Sequence, residues 1–240
     1  MQVELFIPCF IDQVYPETAK NMVTLLEKLG IEVHYNPKQT CCGQMAFNSG
    51  YWDEAYKLAE KLVNELSTGR YIVGPTTSCI AMIKNYYPEF FYNSPLHLEF
   101  KQVQQNIFEV TDFLVNILKV TEVGAIFPYK VTYHDSCAAL REYGIKEEPR
   151  ILLNNVSGLE LVEIEETDTC CGFGGTFAVK NEPISTAMAE QKIEHALKTG
   201  ASYIVSTDAS CLMHLQGYID KHNIPIKTIH IVDVLTSQSH

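Results

Sequence analysis

The sequence has few basic residues and no long apolar run. Its 240 residues include 18 lysines and arginines against 29 aspartates and glutamates, a formal net charge of −11. A surface of that sign repels nucleic acid and anionic lipid, so neither is expected as a partner. No stretch approaches the roughly 18 uncharged residues of a membrane-spanning helix, and the first residues lack the basic region and the length of a signal peptide. We therefore expect a cytoplasmic chain without a membrane span.

Motifs for nucleotide binding and for hydrolysis are also missing. The glycine-rich segment 172–175 is not followed by the spacing of a dinucleotide-binding fingerprint, so a bound NAD or flavin is not expected. No histidine recurs with the cysteines, which argues against a Cys-His or Ser-His-Asp hydrolase.

Cysteine is the residue type that stands out. The chain contains Cys9, Cys41, Cys42, Cys79, Cys137, Cys170, Cys171 and Cys211. They form one pattern written twice: a single cysteine, a Cys-Cys-Gly turn and a later cysteine after serine, with intervals of 32 and 37 residues in the first copy and 33 and 40 in the second. In a reducing compartment, clustered thiols indicate metal or redox chemistry more often than disulfides. The offset of roughly 130 residues exceeds solenoid periods and predicts two homologous half-domains, which we place at 1–122 and 123–240.

The hydrophobic pattern repeats in step with the cysteines. It predicts strands over 3–8, 32–35, 70–73, 130–133 and 203–206, and helices over 17–29, 52–66, 107–118 and 184–197. Gly30 and Gly200 are expected to end two of these helices, and Asn48 or Ser49 to begin another. The alternation of strand and helix predicts an α/β fold of two homologous half-domains, each a small parallel sheet flanked by helices, related by a pseudo-two-fold. Every cysteine follows a predicted strand end, where open α/β sheets bind ligands.

Four thiolates that converge suit zinc or an iron–sulfur cluster. A Cys-Cys pair can direct both sulfurs at one centre only if Gly43 and Gly172 permit a tight turn. Helix starts after Cys42, Cys79 and Cys211 would add positive partial charge, so we expect lowered thiol pKa values there.

Three other interpretations stay open. The cysteines could be buried packing residues, although packing requires neither matched spacings nor paired thiols. Each half could hold a structural zinc ion, although zinc sites favour Cys-x-x-Cys knuckles and the sequence has none. Vicinal disulfides could form within the two pairs in oxidised, cluster-free protein.

The doubled motif resembles the cysteine-rich CCG domain shared by heterodisulfide reductase, in its cysteine-rich subunit, and the iron–sulfur subunit of glycolate oxidase. The segments that carry the resemblance are 5–12, 39–44, 134–137, 170–177 and 210–214. A short chain made of two such domains is similar to the branch of the family that serves lactate utilization.

The resemblance implies an iron–sulfur electron-transfer subunit of a complex that oxidises L-lactate to pyruvate. The other subunits would include a ferredoxin-type iron–sulfur protein, so the isolated chain is not expected to be a complete catalyst. A zinc-bound scaffolding subunit and a thiol/disulfide reductase of the heterodisulfide type are the alternatives.

The ligand number distinguishes this chain from heterodisulfide reductase. There the domain ends in a Cys-x-x-Cys pair, which gives five ligands and a non-cubane cluster; the matching earlier positions here are Thr76 and Asp208. Four cysteines per half suffice for an ordinary cubane, so we predict up to two [4Fe–4S] clusters per chain. Asp208 is expected to cap the helix that follows it rather than to bind metal.

Two histidines lie near the cysteines in sequence. His214 comes three residues after Cys211 and is a candidate fifth ligand or hydrogen-bond donor, although the first half has Met82 at that place. His134, three residues before Cys137, is expected to donate a hydrogen bond near a ligand or to cap the following helix.

Overall fold

The computed structural model describes residues 1–238, which contain two copies of a β/α pattern. The first copy comprises β1 (Gln2–Leu5), α1 (Cys9–Val14), α2 (Pro16–Lys28), β2 (Glu32–Tyr35), α3 (Gln44–Asn48), α4 (Trp52–Leu66), β3 (Tyr71–Gly74), α5 (Thr77–Asn85), α6 (Tyr87–Phe91), α7 (His97–Asn106), β4 (Ile107–Glu109), α8 (Val110–Asp112) and a π-helical turn (Phe113–Ile117). The second comprises β5 (Lys130–Tyr133), a π-helical turn (Ala139–Tyr143), α9 (Glu147–Asn154), β6 (Glu160–Leu161), α10 (Phe177–Lys180), α11 (Glu182–Lys198), β7 (Tyr203–Ser206), α12 (Ala209–His222), β8 (Lys227–His230) and α13 (Ile231–Leu235).

Both copies form a parallel sheet with the same topology. The strand orders are β2-β1-β3-β4 and β6-β5-β7-β8. The central pairs share one register, because Leu5 pairs with Val73 in the first sheet and Tyr133 pairs with Val205 in the second. The predicted α/β fold of two equivalent half-domains is confirmed.

The helices follow from local sequence where one face is apolar. Helix α2 buries Met22, Leu25 and Leu26, and Gly30 follows it with a φ of +75°. Gly200 takes the same left-handed conformation after α11, at +70°. A side chain at either position would be strained, so both glycines end their helices as predicted.

Two local predictions are wrong. Asn48 and Ser49 do not begin α4: Asn48 ends the separate helix α3, and Tyr51 precedes α4. The segment predicted as a helix over 107–118 begins instead as strand β4, because Ile107 pairs with Ile72 of β3 before the chain turns helical at Val110. Pairing with a neighbouring strand overrides the helical spacing of a short apolar run. The short strands β6 and β8 are further elements that the hydrophobic pattern does not locate.

The two halves share part of their core. One apolar cluster lies within each half, and a third combines side chains of both, including Val3 and Leu5 of β1 with Val131 and Tyr133 of β5. The connecting chain contributes Val123 to this shared cluster. The division into 1–122 and 123–240 stays a prediction, and the last two residues, 239–240, lie outside the described part of the chain. Over residues 1–238, no helix has both the length and the apolar character to span a membrane.

Helix α13 of the second half is hydrogen-bonded to α2 of the first. Asp233 accepts bonds from Thr18 Oγ1 and from Asn21 Nδ2, both at 2.8 Å. Thr18 is fully buried, so its hydroxyl depends on this carboxylate.

We expect Asp233→Ala to lower the free energy of unfolding by about 1–3 kcal/mol, because it leaves a buried hydroxyl without its acceptor. Urea denaturation followed by circular dichroism measures the effect. Glu17→Ala is the control: its ion pair with Lys20 is exposed, and its loss should cost less than about 0.5 kcal/mol. An unchanged urea midpoint for Asp233→Ala would show that this contact does not join the halves.

Candidate metal centre

All eight cysteines line one cavity of about 180 Å³ between the two halves. Each cysteine lies in the segment beyond the carboxyl end of a strand: beyond β1, β2 and β3 in the first half, and beyond β5, β6 and β7 in the second. Two parallel sheets therefore direct their carboxyl edges at the same space. The sequence predicted the edge, but not that both sets of four thiols share a cavity.

Helix starts contribute to the site in a slightly different way than predicted. Helix α5 begins at Thr77 and α12 at Ala209, so Cys79 and Cys211 lie inside the first helical turns. The free N–H groups of a first turn carry positive partial charge, which favours thiolates and other anions there.

Sulfur atoms lie close together within each set. Cys9 Sγ lies 3.8 Å from Cys41 Sγ, and the backbone N–H of Gly43 donates to Cys41 Sγ at 3.4 Å. The second half repeats the backbone contact, from the Gly172 N–H to Cys170 Sγ at 3.4 Å. All eight cysteines are free thiols in this structure.

Protons are shared unevenly within each set. Hydrogen bonds from Cys42 and Cys9 lower the pKa of Cys41 to about 3. Bonds from Cys137 and Cys171 lower the pKa of Cys170 to about 2. The first cysteine of each pair is thus held as the thiolate, because neighbouring thiols and a backbone N–H donate to its sulfur.

The predicted lowering at Cys42 and Cys211 is wrong. Hydrogen bonds with Cys41 and Cys79 raise the pKa of Cys42 well above its ordinary value, and burial adds to this. At Cys211 a bond with Cys171 lowers the pKa, but burial together with the negative charges of Asp208 and Cys170 outweighs it and the net shift is upward. Hydrogen bonds among neighbouring thiols and burial therefore set these two pKa values, and the nearby helix starts do not reverse them.

The Cys-Cys-Gly turns require glycine for two reasons. Gly43 and Gly172 have φ values of +80° and +94°. A Cβ at Gly172 would also lie 2.5 Å from the backbone oxygen of Ser185, and one at Gly43 would lie 3.2 Å from that of Ala55. Helix α4 therefore packs directly on the turn at Gly43, and helix α11 on the turn at Gly172. Each turn directs the sulfurs of its cysteine pair into the cavity.

Asp208 joins the two halves at the cavity wall. Its carboxylate accepts bonds from the Ser78 N–H at 3.1 Å, Ser78 Oγ at 3.0 Å, Ser136 Oγ at 3.2 Å and Ser210 Oγ at 3.0 Å. It was predicted to cap its own helix, α12; instead it caps α5 of the other half, and its bond within α12 is to a side chain. Both carboxylate oxygens are thereby engaged in hydrogen bonds. Burial raises the pKa of this carboxyl.

The remaining sequence candidates differ in their surroundings. Thr76 is buried at the start of α5, consistent with a structural role. His214 Nε2 lies 3.2 Å from Ser185 Oγ, which gives this imidazole a partner within the protein.

His134 lies beside two of the cysteines of the second half. One of its ring nitrogens lies within 4.8 Å of the sulfurs of Cys171 and Cys211. The side chain is fully buried, and neither ring nitrogen has a hydrogen-bond partner among the described residues. Burial lowers the pKa of His134 to about 3, so the ring is neutral at physiological pH. The sequence signal for this location was the position of His134 directly after strand β5, at the edge of the sheet where the cysteines also lie.

The donor set fits a sulfur-ligated metal centre in each half. Four thiols converge in each set, and backbone N–H groups already donate to one sulfur in each. Soft thiolate donors select zinc or iron–sulfur, and N–H groups on the sulfurs stabilise such centres. The buried imidazole of His134 lies beside two of these thiols without a hydrogen-bond partner among the described residues. A bound centre would give this ring a partner.

Fold and site together define a cysteine-rich protein built from two copies of one α/β domain that carries four cysteines. The family model of the cysteine-rich CCG domain matches residues 3–84 and 131–216 of this chain. Lactate utilization protein A of Geobacillus thermodenitrificans is 43% identical over 240 residues, which cover 100% of both chains. That of an Exiguobacterium species is 43% identical over 236 residues, covering 97% of this chain and 96% of the relative. The chain belongs to the lactate utilization protein A family.

The fold is similar to that of a protein of known structure. A hypothetical protein from Helicobacter pylori superposes with a TM-score of 0.64 at 11% identity, covering 100% of this chain and 49% of that one.

We expect Gly172→Ala to destabilise the protein more than Gly30→Ala. Both substitutions place a side chain at positive φ, which costs about 1–2 kcal/mol, but only the Cβ at 172 meets backbone at 2.5 Å, whereas the one at Gly30 meets nothing within 4 Å. Chemical denaturation of both variants measures the difference. Equal losses would show that α11 does not press on the turn.

Proposed function

We propose that this chain is the iron–sulfur electron-transfer subunit of an oxidoreductase complex that oxidises L-lactate to pyruvate. The observation that carries the proposal is the convergence of eight cysteines, as two equivalent sets of four, on one cavity between the sheets. The names of the relatives supply the physiological context, lactate utilization.

Each half would hold one [4Fe–4S] cluster. Cys9, Cys41, Cys42 and Cys79 are the proposed ligands in the first half, and Cys137, Cys170, Cys171 and Cys211 in the second. Four cysteines are the complement of a cubane. When bound, two clusters that each exchange one electron match the two electrons released when lactate becomes pyruvate.

The surrounding residues would support the ligands in distinct ways. The N–H groups of Gly43 and Gly172 donate to ligand sulfurs and stabilise their charge. Asp208 holds the two walls together through its bonds to both halves. Phe10 and Phe173 pack edge to face across the halves with centroids 5.5 Å apart and line the cavity, where they limit the access of water.

Lactate itself would be oxidised on a partner subunit. Carboxylate substrates are usually held by arginine or lysine, and none of the described residues that line the cavity is basic, while Asp208 and Glu142 are acidic. We therefore assign substrate binding to another subunit, and propose that a ferredoxin-type iron–sulfur subunit exchanges electrons with this chain. The net charge of −11 favours partners with basic docking surfaces. Within such a cytoplasmic complex, residues 1–122 and 123–240 would each act as one cluster-bearing domain.

One observation favours a second candidate, a zinc-bound scaffolding subunit. A ring nitrogen of His134 and the sulfurs of Cys171 and Cys211 lie within 4.8 Å of one another, a donor group that zinc also accepts. Metal analysis separates the two candidates.

We expect anaerobic reconstitution to give about eight iron and about eight sulfide per chain, the content of two cubanes, with visible absorption that dithionite bleaches. Cys42→Ser and Cys171→Ser should each remove about half of the iron, since each damages one ligand set. Thr76→Ala, a change beside the site without loss of a thiol, should leave the iron content unchanged. Stoichiometric zinc with fewer than about one iron per chain would reject the proposal in favour of the scaffolding role.

We expect deletion of the gene to abolish growth on L-lactate while leaving growth on pyruvate intact, since only the oxidation step is lost. Complementation with the wild-type gene should restore growth, and the Cys42→Ser or Cys171→Ser gene should not. Unimpaired growth of the deletion strain on L-lactate would contradict the assigned substrate.

A further inference from the structure

The two halves have the same fold but different chemistry around their thiols. Phe6 N–H donates to the Val73 carbonyl at 2.9 Å, and His134 N–H donates to the Val205 carbonyl at 2.8 Å. Because Val73 and Val205 occupy the same place in the two sheets, Phe6 and His134 occupy equivalent positions. Both side chains are fully buried. The second half thus has an imidazole where the first has a phenyl ring.

A second difference lies on the helices that pack against the Cys-Cys-Gly turns. A Cβ at Gly43 would face Ala55 and Leu58 of α4, and one at Gly172 would face Ser185 and Met188 of α11. Ala55 thus corresponds to Ser185 and Leu58 to Met188, each pair being 130 residues apart. The same offset aligns buried Leu62 of the first half with buried Lys192 of the second.

The ammonium of Lys192 is held near the second cysteine pair. Its Nζ donates to the carbonyls of Glu166 at 2.8 Å and Thr167 at 3.3 Å, in the segment that leads to Cys170. Lys192 therefore places a positive charge in the interior of the second half, where the first half has only the aliphatic Leu62.

The main chain of His134 is fixed by hydrogen bonds: its N–H donates to the Val205 carbonyl at 2.8 Å, and its carbonyl accepts from Ser206 Oγ at 3.0 Å. The next residue, Asp135, forms a buried bidentate ion pair with Arg150, at 2.9 Å and 2.7 Å. A ring nitrogen of His134 lies within 4.8 Å of Cys171 Sγ and Cys211 Sγ, and both ring nitrogens lack partners among the described residues. A buried donor without an acceptor costs about 1–3 kcal/mol, and ligand thiolates at these sulfurs would supply the acceptor.

We propose that His134 is a positioning residue that donates its ring N–H to the ligand sulfurs of the second half. Together with Lys192, it raises the reduction potential of the second centre above that of the first. The inference rests on the proposed function. Reduction adds negative charge to a cluster, and hydrogen bonds to sulfur and a nearby cation stabilise that charge. The first half has apolar Phe6 and Leu62 instead.

The consequence is a direction for electrons within the chain. A reduced first centre gives up one electron and is oxidised, and the second centre takes up that electron and is reduced, with no bond formed and no proton moved. The partner that donates electrons would then face the first half, and the partner that accepts them the second.

Potentiometric titration of the anaerobically reconstituted full chain, monitored by electron paramagnetic resonance, tests this inference. Wild-type protein should show two one-electron transitions of different potential. In His134→Phe, which installs the residue of the first half, the equilibrium constant for reducing the higher-potential centre should fall about tenfold, ~59 mV for one electron. The other transition should not move.

Three further variants separate hydrogen bonding from packing. His134→Gln keeps an N–H donor and should restore most of the potential, whereas His134→Leu provides a second apolar variant should the phenyl ring not fit. Phe6→Leu, at the equivalent position of the first half, should leave both potentials unchanged. Lys192→Met should lower the same transition that His134→Phe lowers.

The outcomes distinguish this inference from the proposed function. If two clusters assemble and His134→Phe moves neither potential, the inference is wrong and the proposed function stands. Strong nitrogen hyperfine coupling in the reduced wild-type spectrum would show His134 as a direct ligand and would also overturn it. If wild-type protein assembles no cluster, the proposed function fails and the inference fails with it.

Discussion

The structure depends on the way in which the carboxyl edges of two parallel sheets face each other. Strand ends are where α/β sheets leave backbone groups and loops free to bind ligands. Here two such edges close one cavity, and the buried carboxylate of Asp208 bridges them by accepting bonds from Ser78 of one half and Ser136 of the other. A carboxylate with this many donors is stable in the interior only because both halves contribute to it. Separating the halves would leave it without half of its partners.

Duplication supplied two equal frames, and later divergence made their interiors unequal. The glycine turns, the central strand register and the sulfur–backbone contacts recur in both halves. The buried residues that surround the thiols do not all recur. The second half has His134 and Lys192 at the positions where the first half has Phe6 and Leu62. Residues near the cysteines can therefore differ in polarity and charge between the halves while the four cysteines of each half are the same. Under the proposed function, this difference would give the two centres different reduction potentials within one repeated fold.

Much of the fold could be predicted from local patterns, and the failures share a cause. Gly30 and Gly200 end helices as expected, since a left-handed residue is a local requirement. Strand β4 was missed because Ile107 and the residues after it satisfy helical spacing, and only pairing with Ile72 of β3 decides the conformation. The thiol pKa values were misjudged at Cys42 and Cys211 for a similar reason. Their neighbours in space, not in sequence, set the protonation.

By itself, the sequence determined the duplication, the family and the eight candidate ligands, since repeated spacing and paired thiols are properties of the chain order. It also placed six of the eight cysteines after predicted strands, because hydrophobic periodicity marks strand ends, whereas the strand before Cys170 and Cys171, β6, became evident only in the structure. Only the tertiary structure decided that the two sets share one cavity, that Asp208 caps a helix of the opposite half, and that His134 rather than His214 lies unpartnered beside the thiols. These features join residues about 40 to 200 positions apart, and such contacts arise from packing that no local pattern encodes.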